Sequence, residues 1–177
     1  MAECSVMNAA IDAATFRSVL SHFCSGITVV SALQDDVPVG LTCQSFFSLS
    51  LDPALVAFSV SRTSSSFPAI REVGSLVINI LGADQEDVSN GFARSGTDKW
   101  AGVAWTPGRV HGHPVLRGVV AHLECEIDQV IDAGDHELVI AKVVHLETST
   151  AAPEAPDPLL YYRGRYSRLA RAVAEAS

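Results

Sequence analysis

Residues 118–149 read GVVAHLECEIDQVI, then DAGD, then HELVIAKVVHLETS. In the first segment Val119, Ala121, Leu123, Cys125 and Ile127 alternate with His122, Glu124, Glu126 and Asp128. Period two sustained this long predicts a strand with one face buried and one wet. The second segment runs through Leu138, Val139, Ile140, Ala141 and Val143, which predicts a strand apolar on both faces. Between them Asp132 to Asp135 reads as a four-residue hairpin loop, with Gly134 supplying positive φ. Two long strands joined by a tight turn set an antiparallel frame for the rest of the chain.

Upstream, Asp12 can cap a helix whose apolar face is Phe16, Val19, Leu20 and Phe23, with Gly26 ending it in the left-handed region. ITVVSAL (27–33), QDD and VPVGLTC (37–43) predict a hairpin. ALVAFSV (54–60) and LVINIL (76–81) predict two more short strands. FPAIREVG predicts a brief helix stopped at Gly74, and ADQEDVSNGFARS (83–95) another, capped by Asp84. Downstream, PEAPDP (153–158) is a connector, LLYYRG a last strand, and YSRLARAVAEA a short C-terminal helix or tail. Strands do not alternate regularly with helices, so a doubly wound parallel sheet is disfavoured. The expectation is a mainly β, antiparallel barrel or sandwich with a few short peripheral helices. It forms one domain over 12–166, with 1–11 a flexible N-terminus and 167–177 a helix or tail.

The 177 residues suffice for one core without staples. A net charge of −8 disfavours nucleic acid and anionic lipid as partners. MAECSVMNAAID has no secretory pattern, and Cys4, Cys24, Cys43 and Cys125 have no CxxC pairing. A cytoplasmic protein with reduced thiols is therefore expected.

Neither nucleotide-binding glycine fingerprint occurs, nor a G-x-S-x-G elbow, nor H-E-x-x-H. HGH (111–113) sits in a turn with no carboxylate or cysteine close by in sequence, so no metal is expected there. SVSRTSSSF (59–67) offers five serines, a threonine and Arg62 ahead of a helix. Hydroxyls, backbone N–H groups and a guanidinium suit a phosphate, though a solvated turn has the same composition. His136, beside its glycine turn, reads on pattern alone as an ordinary rim residue before it reads as a positioned functional group.

GLTCQSFFSLSLDPALVAFSV, then LVINIL, then GDH at a strand's head, then PLLYYRGRY, resemble in this order the short-chain flavin reductases, over about Phe16 to Tyr166. The likeness is to NADH:FAD reductase components of actinobacterial two-component flavin-dependent monooxygenases, in steroid degradation or enediyne antibiotic biosynthesis. It implies a split, Greek-key β-barrel that forms a homodimer. It also implies hydride transfer from NADH to FAD (FMN being possible), with release of reduced flavin to a partner monooxygenase. By position, Gly40, Leu41, Thr42, Cys43, Gln44, Ser45 and Phe46 would lie along the flavin, with Thr42 and Ser45 offering hydroxyls. Ser61, Arg62, Ser65 and Ser66 would take its phosphate, and Asn79 and Phe92 would approach the ring. His136 would be the catalytic residue and, with Arg163 and Tyr166, would frame the nicotinamide. A flavin-storing barrel and an oxidase holding its flavin tightly are the alternatives.

Overall fold

The computed structural model describes residues 11–149 and 156–170. The strands are β1 (Ser25–Gly26), β2 (Thr28–Gln34), β3 (Val37–Cys43), β4 (Phe47–Leu51), β5 (Ala54–Ser61), β6 (Ser75–Ile80), β7 (Trp105–Pro107), β8 (Pro114–Leu116), β9 (Ala121–Ala133), β10 (His136–Thr148), β11 (Leu160–Tyr162) and β12 (Arg165–Ser167). The helices are α1 (Ala13–Leu20), α2 (Phe67–Val73) and α3 (Glu86–Ala93). Among the described residues no helix is long and apolar enough to cross a membrane.

The β9–β10 hairpin is the middle of a seven-stranded antiparallel sheet ordered β3-β2-β6-β9-β10-β5-β4. Its loop is shorter than expected. Ala133 pairs with His136, so only Gly134 and Asp135 connect the strands, and Gly134 has φ +68. Two bulges interrupt the ladder, at Asp128 and at Val144. Bulges bend a strand and raise its twist, which helps this sheet to curl. The curl brings β3 towards β5 without a ladder between them. Instead the Ser45 hydroxyl accepts from Ser59 N at 2.7 Å and donates to Ser59 O at 2.9 Å. The result is the split antiparallel barrel that the sequence implied.

Inside it Val30, Phe58, Phe67, Ile70, Leu76, Ile78 and Val139 form one buried core. A second packs Ile27, Val29, Leu81, Phe92, Leu116 and Leu159 beneath a small sheet ordered β1-β11-β12. The β2–β3 turn puts Asp35 and Asp36 at φ 50 and 63, the mirror-image geometry two-residue hairpins favour and aspartate tolerates. α2 stops at Gly74, φ +76, as expected.

Four expectations fail in detail. Asp12 caps α1, accepting from Thr15 N at 2.8 Å, but the helix ends at Leu20, and Gly26 pairs with Leu160 in β1 instead of closing it. The cap position of α3 is Gln85, not Asp84; its side chain accepts from Gly82 N at 2.9 Å. The wet face of β9 is not uniformly wet. Glu124 is 0% exposed, because residues 108–111 lie over it and donate backbone N–H groups at 2.7–3.3 Å from Arg109, Val110 and His111. Burial alone would raise the Glu124 pKa; the three donors together outweigh it and hold the carboxyl below its usual range. Finally, Tyr166 and Ser167 belong to β12, and the rest of the expected C-terminal helix or tail lies mostly outside the described residues, as does segment 1–11, expected to be flexible, apart from Ile11. The first half of the PEAPDP connector, 153–155, does too.

Candidate functional site

A cleft of about 470 Å³ opens at the seam where β3 meets β5. Leu41, Val60 and Phe92 give it apolar wall; Thr42, Gln44, Ser45, Ser61, Ser64, Ser65, Lys99 and His136 give it polar groups. Its shape depends on Gly40. A Cβ there would stand 2.7 Å from Phe92 Cε1 and 3.2 Å from Val30 O, so only glycine lets Phe92 lie against the strand. Trp100 then pins Phe92 edge to face at 4.8 Å.

The polar groups are less free than their residue types suggest. Thr42 Oγ1 donates to Ser89 O at 2.6 Å, tying β3 to α3, and Ser45 is spent on Ser59. Neither hydroxyl has a proton left for a ligand. Burial pushes the Cys43 thiol up, so it stays protonated and chemically quiet. Ser61 Oγ lies 2.8 Å from Thr63 Oγ1, and Ser64 Oγ accepts from Phe67 N, so the serine loop is ordered by its own hydroxyls.

The cation of the cleft is Lys99, which the sequence reading passed over. It is one of only two lysines, in the irregular segment after α3, and has no motif around it. Its Nζ donates to Phe92 O at 3.1 Å, Ser66 Oγ at 3.1 Å and Gly40 O at 3.3 Å. Among the described residues no carboxylate lies within ion-pair distance of it. Desolvation lowers its pKa. A half-buried ammonium without a counter-charge, beside a serine loop, is a place prepared for an anion. Arg62 is not there. Its guanidinium pairs with Asp132 at 2.6 Å, and its backbone N–H donates to Asp135 O at 3.1 Å, so it ties the serine loop to the β9–β10 turn.

His136 does line the cleft, next to Ser61 across the β10–β5 ladder. Its Nδ1 is 2.8 Å from Asp135 Oδ1, and that bond lowers the Asp135 pKa. With Nδ1–H given to a carboxylate, the neutral ring presents Nε2 to the cleft side as an acceptor.

The remaining candidates lie elsewhere in this chain. Asn79 is fully buried, donating to Val29 O at 3.2 Å and accepting from Leu116 N at 2.9 Å; it anchors β8 to the barrel. Phe46 borders a neighbouring groove with Phe23 and Phe47. Arg163 occupies the β11–β12 turn at φ 50, its N–H bonded to Ser21 O. The Tyr166 hydroxyl is taken by Ser89 and Asn90 at 2.9 and 3.0 Å. Gly40 and Ser66 flank the cleft through Lys99.

Comparison with known proteins gives the same fold and a consistent chemistry. The flavin reductase like domain model matches residues 20–170. The chain is 45% identical over 161 residues to the reductase subunit HsaB of a flavin-dependent monooxygenase from Mycobacterium tuberculosis, covering 91% of this chain and 84% of that one. It is 38% identical to an NADH:FMN oxidoreductase of Rhodococcus erythropolis, covering 92% and 84%. The NADH:FAD oxidoreductase SgcE6 of Streptomyces globisporus, solved with NAD and FAD fragments, superposes with a TM-score of 0.82 at 30% identity, covering 94% and 96%.

Proposed function

The chain belongs to the flavin reductase-like family, and from that membership we propose that it is an NADH-dependent flavin reductase that passes reduced flavin to a partner monooxygenase. The observation that carries the assignment to the β3–β5 cleft is Lys99, a cation held by neutral oxygens and, among the described residues, without a carboxylate counter-charge, at one end of an apolar slot. The residues present fit a flavin. Leu41, Val60 and Phe92 give flat apolar wall for a ring system, and Lys99 with Ser61, Ser64, Ser65 and Ser66 suits a phosphate. A flavin bound there accepts hydride from the dihydronicotinamide and carries the electrons away.

The chain's own share is orientation. β3 and β5 hold the slot open at fixed width through Ser45, and Phe92 is locked between Gly40 and Trp100. His136 stands on a rigid hairpin with its tautomer set by Asp135. From there Nε2 can accept from the carboxamide of the nicotinamide, or, when protonated, donate a proton in the cleft. Holding two rings at reactive distance is an entropic gain that needs no covalent participation by the protein.

FAD is the proposed flavin, with FMN a second substrate, since a cleft that grips the shared phosphate accepts both. A homodimer is proposed as well. α1 buries none of its residues, Phe16, Val19, Leu20 and Phe23 are exposed, and so are Phe47, Leu49 and Leu51 of β4, with Phe23 and Phe47 lining one groove. Exposed apolar side chains in this number favour cover, and a second copy supplies it.

Steady-state turnover with FAD, FMN and riboflavin against NADH and NADPH tests the reading. Rapid NADH oxidation only on adding flavin, by protein that is colourless after dialysis, is the expected result. Yellow protein that oxidises NADH without added flavin would indicate an oxidase. Protein that binds flavin without consuming NADH would indicate a storage protein.

A further inference from the structure

The two central strands carry the same tripeptide, His122-Leu123-Glu124 on β9 and His145-Leu146-Glu147 on β10. They are paired antiparallel, His145 opposite Glu124 and Glu147 opposite His122. The bulge at Val144 makes this possible. Val143 pairs with Cys125, and without the extra residue His145 would fall opposite Leu123, on the other face of the sheet. The bulge turns it back, so that two imidazoles and two carboxylates form a square on one face. Bulges that re-aim a side chain are over-represented at functional sites.

From this square we propose that the two His-Leu-Glu segments bind one divalent transition-metal ion of borderline softness, Zn²⁺ being the representative, at the opposite end of the hairpin from His136. Ligand atoms of His122, Glu124 and His145 lie within 4.8 Å of one another, and His145 Nε2 is 3.7 Å from Glu147 Oε2. Bonds of about 2.0–2.2 Å place tetrahedral ligands about 3.4 Å apart, so modest side-chain rotation closes the set. This is the one such grouping among the described residues.

Three features suit it to a cation. His145 Nε2 is buried and has no hydrogen-bond partner among the described residues, which is costly for a polar atom and is relieved by a metal bond. Glu124 is held in place by three backbone N–H donors, the outer support that ordered metal sites have, and still keeps a free lone-pair site. Among the described residues Arg109, 3.5 Å from Glu147, is the one Lys or Arg in an ion pair with the square, so its two carboxylates are not fully compensated. Two nitrogen and two carboxylate ligands select Zn²⁺, Co²⁺ or Ni²⁺ over Mg²⁺. The ion would clamp the far end of the hairpin to residues 109–111.

The test uses the full chain without an affinity tag, stripped with chelator and titrated with Zn²⁺ by calorimetry, then with Co²⁺ by visible absorption. One ion per chain, tetrahedral Co²⁺ bands, a raised Tm with Zn²⁺ and none with Mg²⁺ are expected. His122→Ala and His145→Ala should each weaken binding at least tenfold while FAD reduction stays within twofold. Ring-nitrogen NMR of the wild-type chain tests the site even where a variant folds poorly, since the ring signals of His122 and His145 must move most on Zn²⁺ addition. Absence of binding, binding unchanged in both variants, or shifts confined to other histidines would overturn the proposal.

Discussion

Lys99 donates to Ser66 Oγ at 3.1 Å, joining the segment after α3 to the serine loop before α2, and does so without a carboxylate to balance it. A charge-assisted contact to phosphate is worth roughly 1.5–3 kcal/mol. Lys99→Met should therefore raise the KM for FAD and FMN about tenfold to a hundredfold and leave the KM for NADH nearly unchanged. Riboflavin has no phosphate, so its KM reports only structural damage from losing the bonds to Gly40 and Phe92. Equal losses for riboflavin and FAD would remove Lys99 from the phosphate site. Arg62→Ala, by contrast, should change the FAD constant less than twofold, because its guanidinium is engaged by Asp132.

The same lysine makes flavin use pH-dependent. Desolvation places its pKa below the ordinary lysine value of about 10.4. In the flavin-free chain the depressed value means folding gains stability as pH rises through it, since the unfolded state holds the proton more tightly. Binding runs the other way. Phosphate favours the charged form, so FAD affinity is full below the lowered pKa and declines as pH climbs through it. Measured between pH 7 and 10, KM for FAD should rise earlier than an unperturbed lysine would dictate, with riboflavin flat and Lys99→Met flat.

The frame of the barrel was legible because it rests on periodicity. Alternation in 118–131 and continuous apolar runs at 27–33, 54–60 and 76–81 mark strands whatever surrounds them. Tertiary context was not legible. Nothing local to Glu124 says that residues 108–111 will cover it, and its alternation reads as a wet position. Lys99 failed for a related reason: its role comes from Gly40, Ser66 and Phe92, each distant in sequence. Arg62 misled because it sits inside the serine loop by sequence while its side chain leaves the cleft for Asp132. The short strands β1, β4, β7, β8 and β12 were missed because two to five residues cannot show a period.

Gly40 admits no side chain. The added methyl of Gly40→Ala would meet Phe92 at 2.7 and 3.0 Å, and Trp100 blocks the ring's retreat. Overpacking of this kind costs about 1–3 kcal/mol, which for this chain length lowers Tm by roughly 2–12 °C. KM should rise for riboflavin as well as FAD, because the wall of the ring slot moves. Calorimetry showing an unchanged Tm would mean that Phe92 finds another rotamer at no cost.

Exposed apolar residues on α1 and β4 predict assembly. Phe23 is 80% exposed and Leu51 95%. Light scattering should give a dimer of the 18.8 kDa chain at micromolar concentration. The double variant Phe16→Ser, Phe23→Ser should shift the equilibrium towards monomer. A stable wild-type monomer would refute the assembly and leave the apolar face without an explanation.

His136 is set by its neighbours in two ways, through the ladder to Ser61 and through Nδ1 to Asp135. If the ring positions the nicotinamide or handles a proton, losing it removes one oriented polar group, worth about ten- to a hundredfold in rate. His136→Ala should lower NADH turnover by that factor while the dissociation constant for FAD, read by flavin fluorescence, stays within about twofold. Asp135→Asn keeps the residue's shape and exchanges a carboxylate for an amide, loosening control of the tautomer. It should give a smaller loss, about two- to tenfold, because the ring keeps a neighbour of the same shape but loses the carboxylate that fixes Nδ1–H. A structural role for His136 would lower stability and leave the turnover of the folded enzyme unmoved in both variants. Unchanged turnover in His136→Ala would reduce the histidine to a turn residue and place the orientation of the nicotinamide on other groups in the cleft.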